Sequence, residues 1–174
     1  VAVVCLIVGV GVLCLREPHT ARSAGPIRIA RPAVPREIRG DFWFSATGAM
    51  ASWSVLGVLL SLYPSLAARQ THIDNLVFGG AVVGSTAFAA ALAQLAATRL
   101  PAKYSAIIGD VGMAVSLLLT IPVLLTHQPQ LVFVAAALLG ATFGLGFGGS
   151  LRHLSDVVPA GRRGETMSAF YLAA

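Results

Sequence analysis

The sequence predicts an all-α membrane protein, a polytopic transmembrane helix bundle, and three observations carry that prediction. Apolar residues make up 56% of the 174 and charged residues only 11%, with a mean hydropathy of +0.81, whereas soluble domains carry about 25% charged residues. The runs 42–68, 75–98 and 131–151 contain no charge, and each is long enough for a hydrocarbon core that takes roughly 20 residues per helix. The cations also alternate. When the runs are threaded back and forth, Arg16, Arg22, Arg28, Arg31, Arg36, Arg39, Arg99, Lys103, Arg152, Arg162 and Arg163 collect on one side and Arg69 alone on the other. Cytoplasmic loops of membrane proteins retain Lys and Arg in this way. The net charge of +5 and pI near 10.0 therefore read as topology and headgroup signals in loops between spans, not as a nucleic-acid surface.

Residues 1–15 read as the end of a transmembrane helix stopped at Arg16-Glu17-Pro18, since proline cannot continue a helix. Residues 16–40 hold six Arg and four Pro and read as a basic cytoplasmic linker. Residues 41–174 read as a partial bundle with helices at about 41–66, 75–98, 104–126, 131–154 and 166–174. The first of these opens on Phe42-Trp43-Phe44 and carries Tyr63 near its other end, where aromatic belts sit. Arg69–Asp74 and His127–Gln130 are expected to be external turns; Arg99–Lys103 and Pro159–Glu165 are expected to be cytoplasmic. The chain begins at Val1 and its end segments are too short to span, so it reads as a piece of a longer polytopic protein. The expected setting is a cell (inner) membrane, crossed several times.

Few residues carry recognisable chemistry. Cys5 and Cys14 lack a CxxC spacing, and no HExxH, paired-cysteine zinc pattern or P-loop occurs, so no metal and no cofactor are expected. Gly144, Gly146 and Gly149 spell GxGxxG, but inside a run long enough to span rather than after a strand, which removes the dinucleotide reading. Gly80 and Gly84, and Gly140, Gly144 and Gly148, have the spacing that lets helices approach closely in lipid. Ser150, His153 and Asp156 recur every three residues, yet a triad is defined by geometry rather than residue type; an interfacial polar helix end is the reading adopted, and no catalytic residue is assigned. Asp110 is the one charge well inside a span. Such carboxylates are functional candidates by default, although Arg99, Lys103 or Arg152 offers it a structural partner. Thr47, Ser54 and Ser61 recur every seven residues with Met50 and Gly57 between, a stripe that suits either a polar cavity or a helix seam.

The long basic segment 16–40, the short basic turn 99–103 and, above all, Gly144-Leu-Gly-Phe-Gly-Gly-Ser-Leu-Arg-His-Leu-Ser-Asp-Val-Val-Pro159-Ala-Gly-Arg-Arg-Gly-Glu165-Thr-Met-Ser168 resemble the major facilitator superfamily, in its bacterial drug-efflux-like members. The resemblance runs from the end of a sixth helix to the start of an eleventh, with Arg162, Arg163 and Glu165 in the cytoplasmic loop before the last. The turn 99–103 departs from the family's fuller acidic-and-basic pattern. The resemblance implies part of the C-terminal half of a major facilitator fold, and a secondary transporter whose two bundles rock about a midplane site. It also implies a small-molecule substrate, a lipid bilayer around the chain and an N-terminal bundle of the same protein as partner. Thr47, Met50, Ser54, Gly57, Thr86, Thr142, Phe143 and Phe147 are then the cavity candidates. Their apolar and hydroxyl character suits efflux of amphipathic compounds; an uptake permease and a non-transporting scaffold or receptor-like bundle are the alternatives. Asp110 is expected to pair with a nearby cation, which would leave any coupling proton acceptor outside this chain.

Overall fold

The computed structural model describes residues 10–11, 32–72 and 75–174. Contacts divide the chain into two units, Val1–Ala30 and Arg31–Ala174. In the first, only Val10 and Gly11 are described, and both are helical; the 1–15 helix end and most of the 16–40 linker lie outside the described residues. Every regular element among the second unit's described residues is a helix: α1 (Arg39–Ser61), α2 (Tyr63–Thr71), α3 (Leu76–Ala97), α4 (Ala102–Leu125), α5 (Pro129–Val157) and α6 (Arg163–Ala173), with 3₁₀ turns at Arg36–Ile38 and Ala160–Arg162. Among the described residues, four helical stretches are long and apolar enough to cross a membrane: Arg36–Arg69, Val77–Ala97, Ala102–Val123 and Pro129–Val157.

The sequence places one helix at 41–66; the structure breaks it at Leu62 and extends it to Thr71. Pro64 has no N–H to donate to the Leu60 carbonyl, and proline is a common cause of kinks. The chain nonetheless stays helical through the break, because Leu62 N–H donates to Val58 O and Leu66 N–H to Leu62 O, both at 2.9 Å. Tyr63 is buried within the bundle rather than turned outward, and its hydroxyl donates to the Val132 carbonyl of α5 at 3.1 Å. Asn75 begins α3, its Oδ1 accepting from Val77 N–H at 2.9 Å, which satisfies a donor that the helix itself leaves free.

α5 is the central element: it packs along α3 and α4 and against α1. Glycine makes this possible. Gly140 and Gly144 lie against the backbone of Thr86 and Ala90 on α3, while Gly146 and Gly149 lie against Gly109 and Ala106 on α4. The GxGxxG string is thus a helical surface shared between two neighbours. Gly80 and Gly84 meet nothing within 4 Å of a Cβ position, so that GxxxG face is open among the described residues. Two apolar clusters fill the bundle. One gathers Leu59, Tyr63, Val82, Met113, Val132 and Leu139; the other, toward the start of α1, gathers Ile38, Phe42, Ala46, Leu154 and Phe170.

Candidate functional site

The two ends of the bundle carry different chemistry. At one end the guanidinium of Arg152 donates to the carbonyls of Ala97 (2.8 Å) and Leu100 (3.0 Å), closing the C-terminus of α3 where a cation is favoured. His153 Nε2 lies 2.9 Å from Asp41 Oδ1, joining α5 to the start of α1. The Phe44 ring packs edge-on to His153 at 5.6 Å between centroids, and Lys103 Nζ stands 5.9 Å from the Phe44 centroid. At the other end His72 and His127 stack with centroids 6.2 Å apart. Arg162 and Arg163 are exposed, Arg163 reaching the Ser155 carbonyl at 3.4 Å, and Glu165 lies in the first turn of α6.

α1 and α5 together present a face unlike the rest of the surface. Trp53 meets Phe147 edge-on at 5.6 Å, and Phe147 stacks on Phe143 at 5.9 Å with their planes 5° apart. Met50 and Trp53 are exposed, as are Thr47, Ser54 and Gly57. The hydroxyls here are already spent on their own helix: Thr47 donates to Trp43 O at 2.7 Å, Ser54 to Met50 O at 2.8 Å and Ser61 to Gly57 O at 2.7 Å. By contrast, the exposed side of α4 is aliphatic, with Ile107, Ile108, Val111, Val115 and Leu118.

The structure therefore brings Thr47, Met50, Ser54, Gly57, Phe143 and Phe147 to one face and leaves two other cavity candidates elsewhere. Thr86 is buried on α3 beneath Gly140, and Thr142 is buried on α5 with its methyl facing Gly112 of α4. Both hydroxyls bond back to their own helices, Thr86 to Val82 O at 3.1 Å and Thr142 to Leu138 O at 3.0 Å. These two threonines sit in helix seams because glycine opposite them admits a close approach. Ser150, His153 and Asp156 do not converge: Ser150 is buried, His153 is engaged by Asp41 and Asp156 is exposed. No group of three His, Cys, Asp or Glu capable of holding a metal occurs among the described residues.

Asp110 also departs from expectation, since none of the three cations expected beside it pairs with it. Among the described residues the one ion pair is His153–Asp41. Asp110 instead lies between glycines of two other helices: a Cβ at Gly48 would stand 2.8 Å from its Oδ2, and one at Gly146 would stand 2.7 Å from its Oδ1. The Gly48 position is equally 2.8 Å from Ser150 Oγ. Oδ1 of Asp110 and the hydroxyls of Ser45, Ser52 and Ser150 are buried without a hydrogen-bond partner. Sequence reasoning passed over Ser45, Gly48 and Ser52, although their spacing of three and four residues puts small and hydroxylated groups on one side of α1. Two open grooves lie elsewhere. One of about 670 Å³ lies between α2 and α3 near Pro64 and Gly79, and one of about 510 Å³ lies between α3 and α5 near Gln94 and Gly148. Neither includes Asp110 or the aromatic face.

Apolar spans, glycine seams and cation-rich turns at one end define a multi-pass membrane protein. The family model of the Major Facilitator Superfamily matches residues 1–174, and the chain belongs to that superfamily. The members of this family are membrane transporters, not enzymes. A search of curated proteins and of solved structures returned no match.

Proposed function

We propose that the chain forms part of the C-terminal bundle of a secondary transporter that expels small amphipathic organic molecules from the cell by alternating access. The opposing wall of the cavity would come from an N-terminal bundle of the same protein, set in a cell (inner) membrane. The aromatic face of α1 and α5 is the observation that supports this reading. Trp53, Phe147 and Phe143 offer π surfaces, Met50 is adaptable, and the nearby hydroxyls are turned to their own backbone. Such a face holds a ligand by dispersion and cation–π attraction rather than by a hydrogen-bond code.

Trp43 and Trp53 are the two tryptophans of these 174 residues, so replacing Trp43 and any tryptophan elsewhere in the full-length protein by Phe leaves Trp53 as a lone fluorophore. In the full-length protein, a lipophilic aromatic cation is expected to quench it saturably, and Phe147→Ala is expected to weaken binding about tenfold, the scale of one desolvated π contact. Everted vesicles should accumulate the compound. Accumulation in right-side-out vesicles would support the uptake permease instead, and absence of both binding and flux would support the scaffold.

A further inference from the structure

We infer that His72 and His127 form a two-histidine site for a divalent transition-metal ion of the zinc class, clamping the α2–α3 turn to the α4–α5 turn at the end of the bundle remote from Arg152. The backbone at both positions is already uncommon. Among the described residues, they are the two non-glycine positions with positive φ, 57° and 56°. Histidine enters the left-handed region more readily than most residues, yet such backbone costs energy and clusters at ligand clamps. Both turns are also held. His72 N–H donates to Ala68 O, and the N–H and Oγ1 of Thr126 donate to Val123 O at 3.1 and 2.7 Å.

From these two held turns the rings meet, with centroids 6.2 Å apart and planes 22° from parallel. Burial does not bring them together, because both side chains are exposed. The separation suits a shared ion. Two imidazoles bound to one ion at about 2.0–2.1 Å per nitrogen have centroids at most about 6.5 Å apart, and a tetrahedral angle draws them about 1 Å closer than the present pair. Exposed rings make that movement by rotating about their own side-chain bonds, with the backbone left in place. The donor set selects the ion: imidazole suits zinc, copper and nickel, whereas magnesium and calcium take oxygen ligands. Two protein ligands leave the other positions to water, in keeping with the absence of a group of three His, Cys, Asp or Glu among the described residues. The ion adds a link where the helices provide few, since α2 and α4 touch little by themselves. The site stands apart from the aromatic face and does not depend on what that face binds.

The test is Zn²⁺ titration of the full-length protein, purified without a histidine tag, followed by calorimetry and by melting temperature with Mg²⁺ as control. Saturable Zn²⁺ binding and a rise in melting temperature that chelation reverses are expected, with no response to Mg²⁺. His72→Ala and His127→Ala should each weaken binding by more than about tenfold, the loss that follows removal of even an outer partner of a ligand. The double variant should bind little worse than either single one, because both act on one ion. Since both side chains are exposed, all three variants should melt near the parent when metal is absent. Copper(II) serves as a second probe: its electron spin-echo modulation should report two imidazoles in the parent, one in each single variant and none in the double variant. The inference is overturned by an absence of Zn²⁺ binding, by binding that survives the double variant, by losses that add as for independent sites, or by an equal response to Mg²⁺.

Discussion

A methyl group added at Gly48 would meet Asp110 Oδ2 and Ser150 Oγ at 2.8 Å each, whereas one added at Gly80 meets nothing within 4 Å. Both glycines are helical, so intrinsic propensity favours alanine at each. Packing decides the difference. Gly48→Ala is expected to lower stability by about 1–3 kcal/mol, as overpacking does, while Gly80→Ala should be neutral or slightly stabilising. Thermal unfolding of the purified protein checks both, and equal shifts would show that the α1–α4–α5 crossing is looser than the structure has it. Gly148→Ala lies between these, because the atom it meets, Gln94 Cγ at 3.3 Å, belongs to a flexible side chain.

At the level of elements, Arg152 is the side chain whose role the sequence least discloses. It sits 55 residues from Ala97, and a charge count sees only another cation on the basic side. Its two hydrogen bonds close the end of α3, so Arg152→Ala should cost about 1–2 kcal/mol. Arg152→Lys should recover part of this, because an ammonium lacks the planar fork that reaches two carbonyls. A melting series of the three proteins checks the order. The helical, span-rich character was legible: charge-free runs of membrane length mark α1, α3 and α5, and an apolar run interrupted by Asp110 marks α4, whereas the break at Leu62 was not foreseen. Which way each helix turns was not legible. A seam and a lipid-facing surface are equally apolar, so a sequence that is apolar on every side carries no periodic contrast to set the azimuth. That is why Thr86 and Thr142 resembled cavity residues and lie in seams, and why Tyr63 resembled a belt residue and is buried. The cluster around Asp110 depends on three helices crossing, and no local spacing encodes it.

For the whole molecule, the alternation of cations in the sequence and the pairing of ends in the structure agree. Asp41–His153 and Arg152 with the α3 terminus lie at one end, and His72 with His127 lies at the other. Among the described residues, Arg69 is the one Arg or Lys in the connections at the histidine end. From that asymmetry the histidine end is expected to face away from the cytoplasm. With Cys5 and Cys14 replaced, an impermeant maleimide should label Gln128→Cys in intact cells and Gly161→Cys only after permeabilisation. The reverse pattern would invert the topology.

The central place of α5 has a consequence for how the protein is made. α1, α3 and α4 touch one another little, and each leans mainly on α5, which is the last of the four to leave the ribosome. Until Pro129 and the residues after it are translated, the surfaces around Thr86, Ala90, Ala106 and Gly109 have lipid for a neighbour, and the three earlier helices are inserted but unassembled, the first stage of a two-stage process. Nascent chains halted before Pro129 should therefore be cleared by membrane proteases far faster than chains halted after Val157. The assembly of this bundle is timed by translation of a single helix.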